Sequence, residues 1–186
     1  MATTKFLLDR RRLLVAAGSA LVLVSCGGTS TAAFALTSPA MVDGGRLPVD
    51  FTCDGSSISP PLAWTGAPRG TVGFAIAMHH VPGPGDTHWY WVLYDIPADV
   101  THIDADSVPV ATIGTNSVNG RSEYSPPCSK GPGMKTYTIT AYALSALPDL
   151  PDPGIVTRDV LLAAIDGSVL ATADINVTYD RTELTS

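Results

Sequence analysis

Four histidines, His79, His80, His88 and His102, are the side chains of this 186-residue sequence best suited to acid–base or ligand chemistry near neutral pH. A zinc-type site needs three or four ligands converging on one point. His79 and His80 are adjacent in a run that reads as a strand, where successive side chains face opposite ways, so they cannot serve one ion without a bulge. No metal is expected, and nothing in the sequence calls for a cofactor. A hydrolase needs a nucleophile beside a base. The chain has no G-x-S-x-G motif, and Gly83-Pro84-Gly85 lacks the lysine and the strand-to-helix setting of a phosphate loop. The expected activity is binding and not catalysis.

Charge narrows the partners. The chain has 17 acids and 11 bases; residues 1–25 hold four bases and one acid, so the remainder from Cys26 has 7 bases, 16 acids and a formal charge of −9. Such a body repels nucleic acid and acidic lipid surfaces, and affinity for an anion has to come from a few locally placed cations.

Positioning such groups requires a scaffold, and the apolar pattern is that of strands. Thr71 to Met78 places Val72, Phe74, Ile76 and Met78 on one side and Gly73, Ala75 and Ala77 on the other, which fits a strand covered on both faces. Trp89 to Ile96 and Tyr137 to Leu144 read as further interior strands, with Pro97 stopping the first. Ala171, Ala173, Ile175, Val177 and Tyr179 alternate with polar residues, the pattern of a half-solvated strand. Thr157 is placed to cap a short helix from Arg158 to about Ile165, ended by Gly167. Leu147 to Gly154, with three prolines, is loop, and its Asp149 and Asp152 are solvated turn residues. Trp64, Trp89 and Trp91 are assigned to the core, the last two on one strand face. With 17 glycines, 15 prolines and no internal repeat, one β-rich domain is the economical reading.

The N-terminus reads as an address. Lys5 and Arg10 to Arg12 precede an apolar run, Leu13 to Val24, too short to span a bilayer about 30 Å thick, and the run ends in Leu23-Val24-Ser25-Cys26, which resembles a bacterial lipobox. Residues 1–25 are thus read as a lipoprotein signal peptide with Cys26 the acylated new terminus, against the alternative of an ordinary signal cut near Ala35. Arg10-Arg11-Arg12-Leu13-Leu14 also looks like a twin-arginine export signal. Residues 26–36 form a flexible tether, and 37–186 the domain, held at the extracytoplasmic side of a bacterial cell membrane. Cys53 and Cys128 then remain in an oxidising compartment, an even pair that fits a disulfide; two free buried thiols are the alternative.

Turn-rich segments at the strand ends carry a more specific signal. They are Thr52-Cys53-Asp54-Gly55, Ser59-Pro60-Pro61-Leu62-Ala63-Trp64, Val81-Pro82, His88-Trp89, Gly114-Thr115-Asn116, and Tyr124 with Pro126-Pro127-Cys128. In order and spacing the chain from Leu47 to Arg181 resembles the bacterial branch of the phosphatidylethanolamine-binding protein family, related to Raf kinase inhibitor protein. That family's pattern runs T-C-D-G, S-P-P-L-x-W, D-P-D-A-P, H-W, G-x-N, Y-x-G-P-C and H-R-Y.

The resemblance implies a mainly β, antiparallel fold with a short C-terminal helix and a small anion-accepting pocket at one end of the sheet. Carried over by motif, the retained pocket residues are Pro82, His88, Pro127 and Tyr137. Three segments depart from it. Met78-His79-His80-Val81-Pro82 stands for D-P-D-A-P, so His80 replaces the second aspartate; Pro126 stands for the glycine of G-P-C; Lys135-Thr136-Tyr137 stands for H-R-Y. Exchanging a carboxylate for an imidazole and an imidazole for an ammonium makes the pocket more cationic, while Pro126 removes a backbone N–H donor. The expected ligand set is His80, Pro82, His88, Pro126, Pro127, Lys135 and Tyr137 around a phosphate-bearing or other anionic group. The competing expectation is a protein-interaction or inhibitor module, of the kinase- or protease-regulating type, with a vestigial pocket.

Overall fold

The computed structural model describes residues 1–2, 32–107, 109–128, 130 and 133–181, and the elements below lie in one compact unit. Among these residues there are eight strands and one α-helix: β1 (Ala35–Thr37), β2 (Leu62–Thr65), β3 (Gly73–Gly83), β4 (Asp86–Pro97), β5 (His102–Ile103), β6 (Thr112–Ile113), β7 (Lys135–Leu144), α1 (Arg158–Ile165) and β8 (Val169–Tyr179). All pairings between strands are antiparallel, forming a small sheet in the order β1-β2-β5 and a large one in the order β6-β4-β3-β7-β8. The mainly β antiparallel architecture with one short helix is the expected one.

The period of two seen in β3 separates two cores. Phe74, Ile76 and Met78 join Leu36, Leu62, Trp64, Ile103, Trp91, Leu93 and Ile139 in a cluster between the sheets. Ala75, on the other face, packs with Val92, Tyr94 and Leu144 against Val156, Leu161 and Ile165 of the helical side. Only small residues on β3 let the helix approach on that side, which is why the alternation there runs large and small. Thr157 caps α1 by accepting a hydrogen bond from the Val160 N–H at 3.2 Å. The helix ends at Ile165, and Gly167 follows in the turn without a left-handed φ. Asp166 is still helical in its dihedrals, and the turn is made by the Ser168 N–H donating to the Ile165 carbonyl.

Two details depart from the sequence reading. The domain starts earlier than residue 37: Ala35–Thr37 pair with β2, and Leu36 is buried because it and Phe34, whose ring stacks on Phe74 at 6.0 Å, have apolar surface to hide. And Trp89 and Trp91 do not share a face. The ladder pairs Met78 with Trp91 and His79 with Trp89, leaving Tyr90 as an extra residue in β4. This bulge turns Tyr90 and Trp91 together into the inter-sheet core and sends Trp89 to the helical side. The signal-peptide and lipid-anchor reading, Cys26 included, lies outside the described residues; among those described no helix is long and apolar enough to cross a membrane.

Candidate functional site

A cleft of 460 Å³ opens where the inter-sheet core ends, lined by His80, Pro82, His88, Tyr90, Ser117, Val118, Cys128, Lys130 and Lys135. It adjoins a hollow of 300 Å³ that shares His80, Pro82 and Lys135 and adds Val81, Met134 and Thr136. Four of the seven expected ligand residues thus meet in one place: His80, Pro82, His88 and Lys135.

Strand register brings the imidazoles together. His80 and His88 are direct Cα partners in the β3–β4 ladder, so their side chains leave the same face of the sheet, while His79 leaves the other. The hairpin turns through Pro84 and Gly85, whose φ of +80° is the left-handed conformation that glycine adopts without strain. His80 is half-buried, and its Nδ1 lies 2.7 Å from the Thr136 carbonyl oxygen. His88 is exposed, with Nε2 3.3 Å from a carboxylate oxygen of Asp86. Lys135 opens β7, where it pairs with Tyr179.

The remaining three expected residues are not in the cleft wall. Tyr137 is fully buried beneath it, its ring 5.3 Å from that of His80 and 5.3 Å from that of Tyr90, so it forms part of the floor's support. Pro127 is buried and Pro126 half-buried, and the Pro127 carbonyl accepts a hydrogen bond from the Cys53 N–H. The wall at that point is made instead by Cys128 and Lys130.

Cys53 and Cys128 form a disulfide, with Cα atoms 5.2 Å apart at a sequence separation of 75. The T-C-D-G segment therefore acts as an anchor for the cleft wall. Thr52 is fully buried and donates to the Val49 carbonyl. Asp54 accepts from Arg181 through both Nε and Nη2, and from the Tyr179 hydroxyl; Arg181 holds its carboxyl below the usual carboxylate range. The Tyr124 hydroxyl donates to the Phe51 carbonyl at 2.6 Å, and burial pushes that phenol far up from its ordinary value.

The G-x-N segment builds the opposite wall. A β-carbon at Gly114 would stand 2.5 Å from the Val156 carbonyl oxygen, which explains the glycine. Buried Asn116 accepts from the Val118 and Asn119 N–H groups and donates to the Arg121 carbonyl, shaping the loop from within. Ser117 follows; its hydroxyl donates to the Trp89 carbonyl and accepts from the Trp89 N–H.

Sequence reasoning missed Tyr90, Ser117, Val118 and Lys130. Tyr90 was within reach of the period-two rule from His88; the other three lie in loops whose path depends on Asn116 and the disulfide. Burial holds the Tyr90 phenol above its ordinary value. Among the described residues lining the cleft there is no carboxylate, and none forms a metal-binding cluster.

Residues 37–180 match the family described as phosphatidylethanolamine-binding protein. The chain belongs to that family. It is 34% identical over 151 residues to a UPF0098 protein of Methanothermobacter thermautotrophicus, covering 78% of this chain and 98% of that one. It is 30% identical over 166 residues to the UPF0098 protein YbcL of Escherichia coli, covering 80% and 88%. Among solved structures, a phosphatidylethanolamine-binding protein homologue of Chlamydia trachomatis superposes with a TM-score of 0.73 at 30% identity, over 80% of this chain and 98% of that one. The crystal structure of Escherichia coli YbcL gives 0.73 at 27% identity over 80% and 99%. Within the phosphatidylethanolamine-binding protein family, this chain carries His80, Lys130 and Lys135 around its cleft on a body that is otherwise anionic.

Proposed function

We propose that this protein is a binding module, and not an enzyme, that receives a phosphate-bearing or other anionic group in the cleft of His80, His88, Lys130 and Lys135. The observation that carries the reading is chemical: four nitrogen side chains able to bear positive charge line one concavity that, among the described residues, has no carboxylate in its lining. In a cleft partly shielded from water their attraction for an oxyanion is stronger than the same charges would exert on an open surface. Ser117 supplies the hydroxyl nearest to a nucleophile here, but it is engaged with the Trp89 backbone and not with an imidazole, which supports binding without chemistry.

The domain is further proposed to work outside the cytoplasm of a bacterium, held at the cell membrane by lipid on Cys26. The lipobox-like sequence supports this, and the Cys53–Cys128 disulfide fits an oxidising compartment. Labelling of the full chain with a fatty-acid analogue, lost in Cys26→Ala, is the expected result; unchanged labelling in that variant would dismiss the anchor.

A phosphate titration followed through the ring resonances of His80 and His88 tests the site. Both are expected to move saturably at millimolar phosphate, and His88→Ala to weaken binding by about fivefold, the scale of one exposed charge-assisted contact. Unmoved rings remove the reading. A protein that copurifies in stoichiometric amount and is retained by His88→Ala would favour the interaction-module alternative.

A further inference from the structure

We propose that capture of an anion in this cleft is coupled to uptake of a proton by His80, so that the site binds more tightly as the surroundings become acidic. The proposal rests on the reading of the cleft as an anion site and adds how that site is regulated.

The Thr136 carbonyl faces the His80 ring. It can only accept a hydrogen bond, and it stands 2.7 Å from His80 Nδ1. Nδ1 therefore carries the hydrogen. A neutral imidazole has one N–H, so Nε2 is left with a lone pair, which repels an oxyanion. Only when the ring gains a second proton does Nε2 become a donor, and the ring then also carries positive charge. The carbonyl accepts from Nδ1–H in both states, so protonation changes the outward nitrogen while leaving the ring's seat unchanged.

Among the described residues, these groups face His80. From β4 come its partner His88, with Asp86 against it, and Tyr90; from β7 come Lys135 and, beneath, Tyr137; from the segment after the disulfide comes Lys130. His79, its neighbour in sequence, leaves the opposite face of the strand. Histidine is the side chain that ordinarily changes charge between about pH 5 and pH 8. Of the groups just named, two are imidazoles, His80 and His88, and their settings differ. His88 Nε2 already lies 3.3 Å from an acceptor, Asp86, whereas His80 lines the cleft with Nδ1 engaged by the Thr136 carbonyl, which leaves Nε2 as the nitrogen a ligand could use. An anion held by His80 stabilises its charged form; by linkage, affinity rises as pH falls, by at most about tenfold per pH unit for one proton.

Sulfate is the suitable probe, because it stays doubly charged throughout this range and any pH dependence belongs to the protein. Calorimetric titration of the full-length chain at about pH 5.5, 6.5 and 7.5, in buffers with different heats of ionisation, reads both affinity and protons exchanged. The expected result is tighter binding at lower pH with net proton uptake, and a slope reduced by about one proton in His80→Gln, whose amide does not titrate. Equal slopes in the two proteins, or a wild-type affinity independent of pH, would overturn the coupling while leaving anion binding intact. No sulfate binding at any pH would overturn the anion-site reading itself. A measurement without ligand guards against a misfolded variant: ring-nitrogen spectra of the wild-type protein above pH 7.5 should show the His80 hydrogen on Nδ1, and finding it on Nε2 would also sink the proposal.

Discussion

His80 and His88 are paired Cα to Cα across the β3–β4 hairpin, eight positions apart in sequence yet on one face of the sheet. The pairing sets the spacing of the two imidazoles through the backbone ladder. Asp86, at the foot of the same hairpin, lies 3.3 Å from His88 and is itself exposed. It competes with any incoming anion for that ring.

Asp86→Asn should therefore improve anion binding. The pair is solvent-exposed, so the gain is small, about two- to fivefold in sulfate affinity at low salt and less at high salt. Calorimetric titration of both proteins at two ionic strengths checks it; weaker binding in the variant would mean that Asp86 helps to form the site.

The disulfide ties the cleft wall to the T-C-D-G anchor. Closing 75 positions of chain lowers the entropy of the unfolded state by an amount worth about 4.5 kcal/mol in the chain-entropy description, from which local relaxation subtracts. Replacing both Cys53 and Cys128 by serine should lower unfolding free energy in urea by about 2–4 kcal/mol. Because Cys128 and Lys130 form one wall, phosphate affinity should fall as well. Unchanged affinity in a folded double variant would show that Asp54, Arg181 and Tyr124 suffice to hold the wall.

His79 predicts the acid behaviour of the fold. Burial, and then the positive charge of Arg158, hold its imidazole below the ordinary histidine value, with Asp174 pulling the other way, and its buried Nδ1 has no hydrogen-bond partner among the described residues. A depressed value means that the unfolded chain takes up the proton first. The contribution of this residue to stability is complete above about pH 6.5 and is lost as pH falls toward the depressed folded value. His79→Leu should remove that loss, flattening the dependence of the urea midpoint between about pH 7.5 and pH 5.5 relative to wild type. Identical dependence in the two proteins would assign the acid sensitivity elsewhere.

The sheet was legible because β3, β4, β7 and β8 are long runs whose period reports which faces are covered; Phe74 and Ala75 already tell the two cores apart. Family motifs located the cleft and named four of its lining side chains. What escaped was set by single irregularities. One extra residue, Tyr90, flips the face of Trp89, and no local preference in a run of aromatic and branched residues marks where a bulge falls. Pro126 and Pro127 occupy the motif, yet the disulfide turns Cys128 and Lys130 toward the cleft, an outcome of a contact 75 positions away. Phe34 and Leu36 follow a stretch of small residues, and only their packing on the core reveals that the fold begins there.

Gly114 offers the sharpest test of how the loop wall is held. Its N–H donates to the Val92 carbonyl, and the next residue, Thr115, donates through both its N–H and its hydroxyl to the Val156 carbonyl. The Thr115 carbonyl in turn accepts from the Trp89 indole at 2.8 Å. A methyl group at position 114 would meet the Val156 carbonyl oxygen at 2.5 Å and a Val92 methyl at 2.9 Å, both on well-packed elements with no flexible end to swing away. Gly114→Ala should cost about 1–3 kcal/mol as an overpacked site, and should weaken phosphate binding because Ser117 and Val118 move with the segment. Gly120→Ala, in the same loop, is the control. Its φ of +74° makes alanine strained, but nothing stands within 4 Å of the added carbon, so a loss of about 1 kcal/mol with little change in binding is expected. Equal effects of the two substitutions on phosphate affinity would show that the close approach at Gly114 does not position the cleft wall.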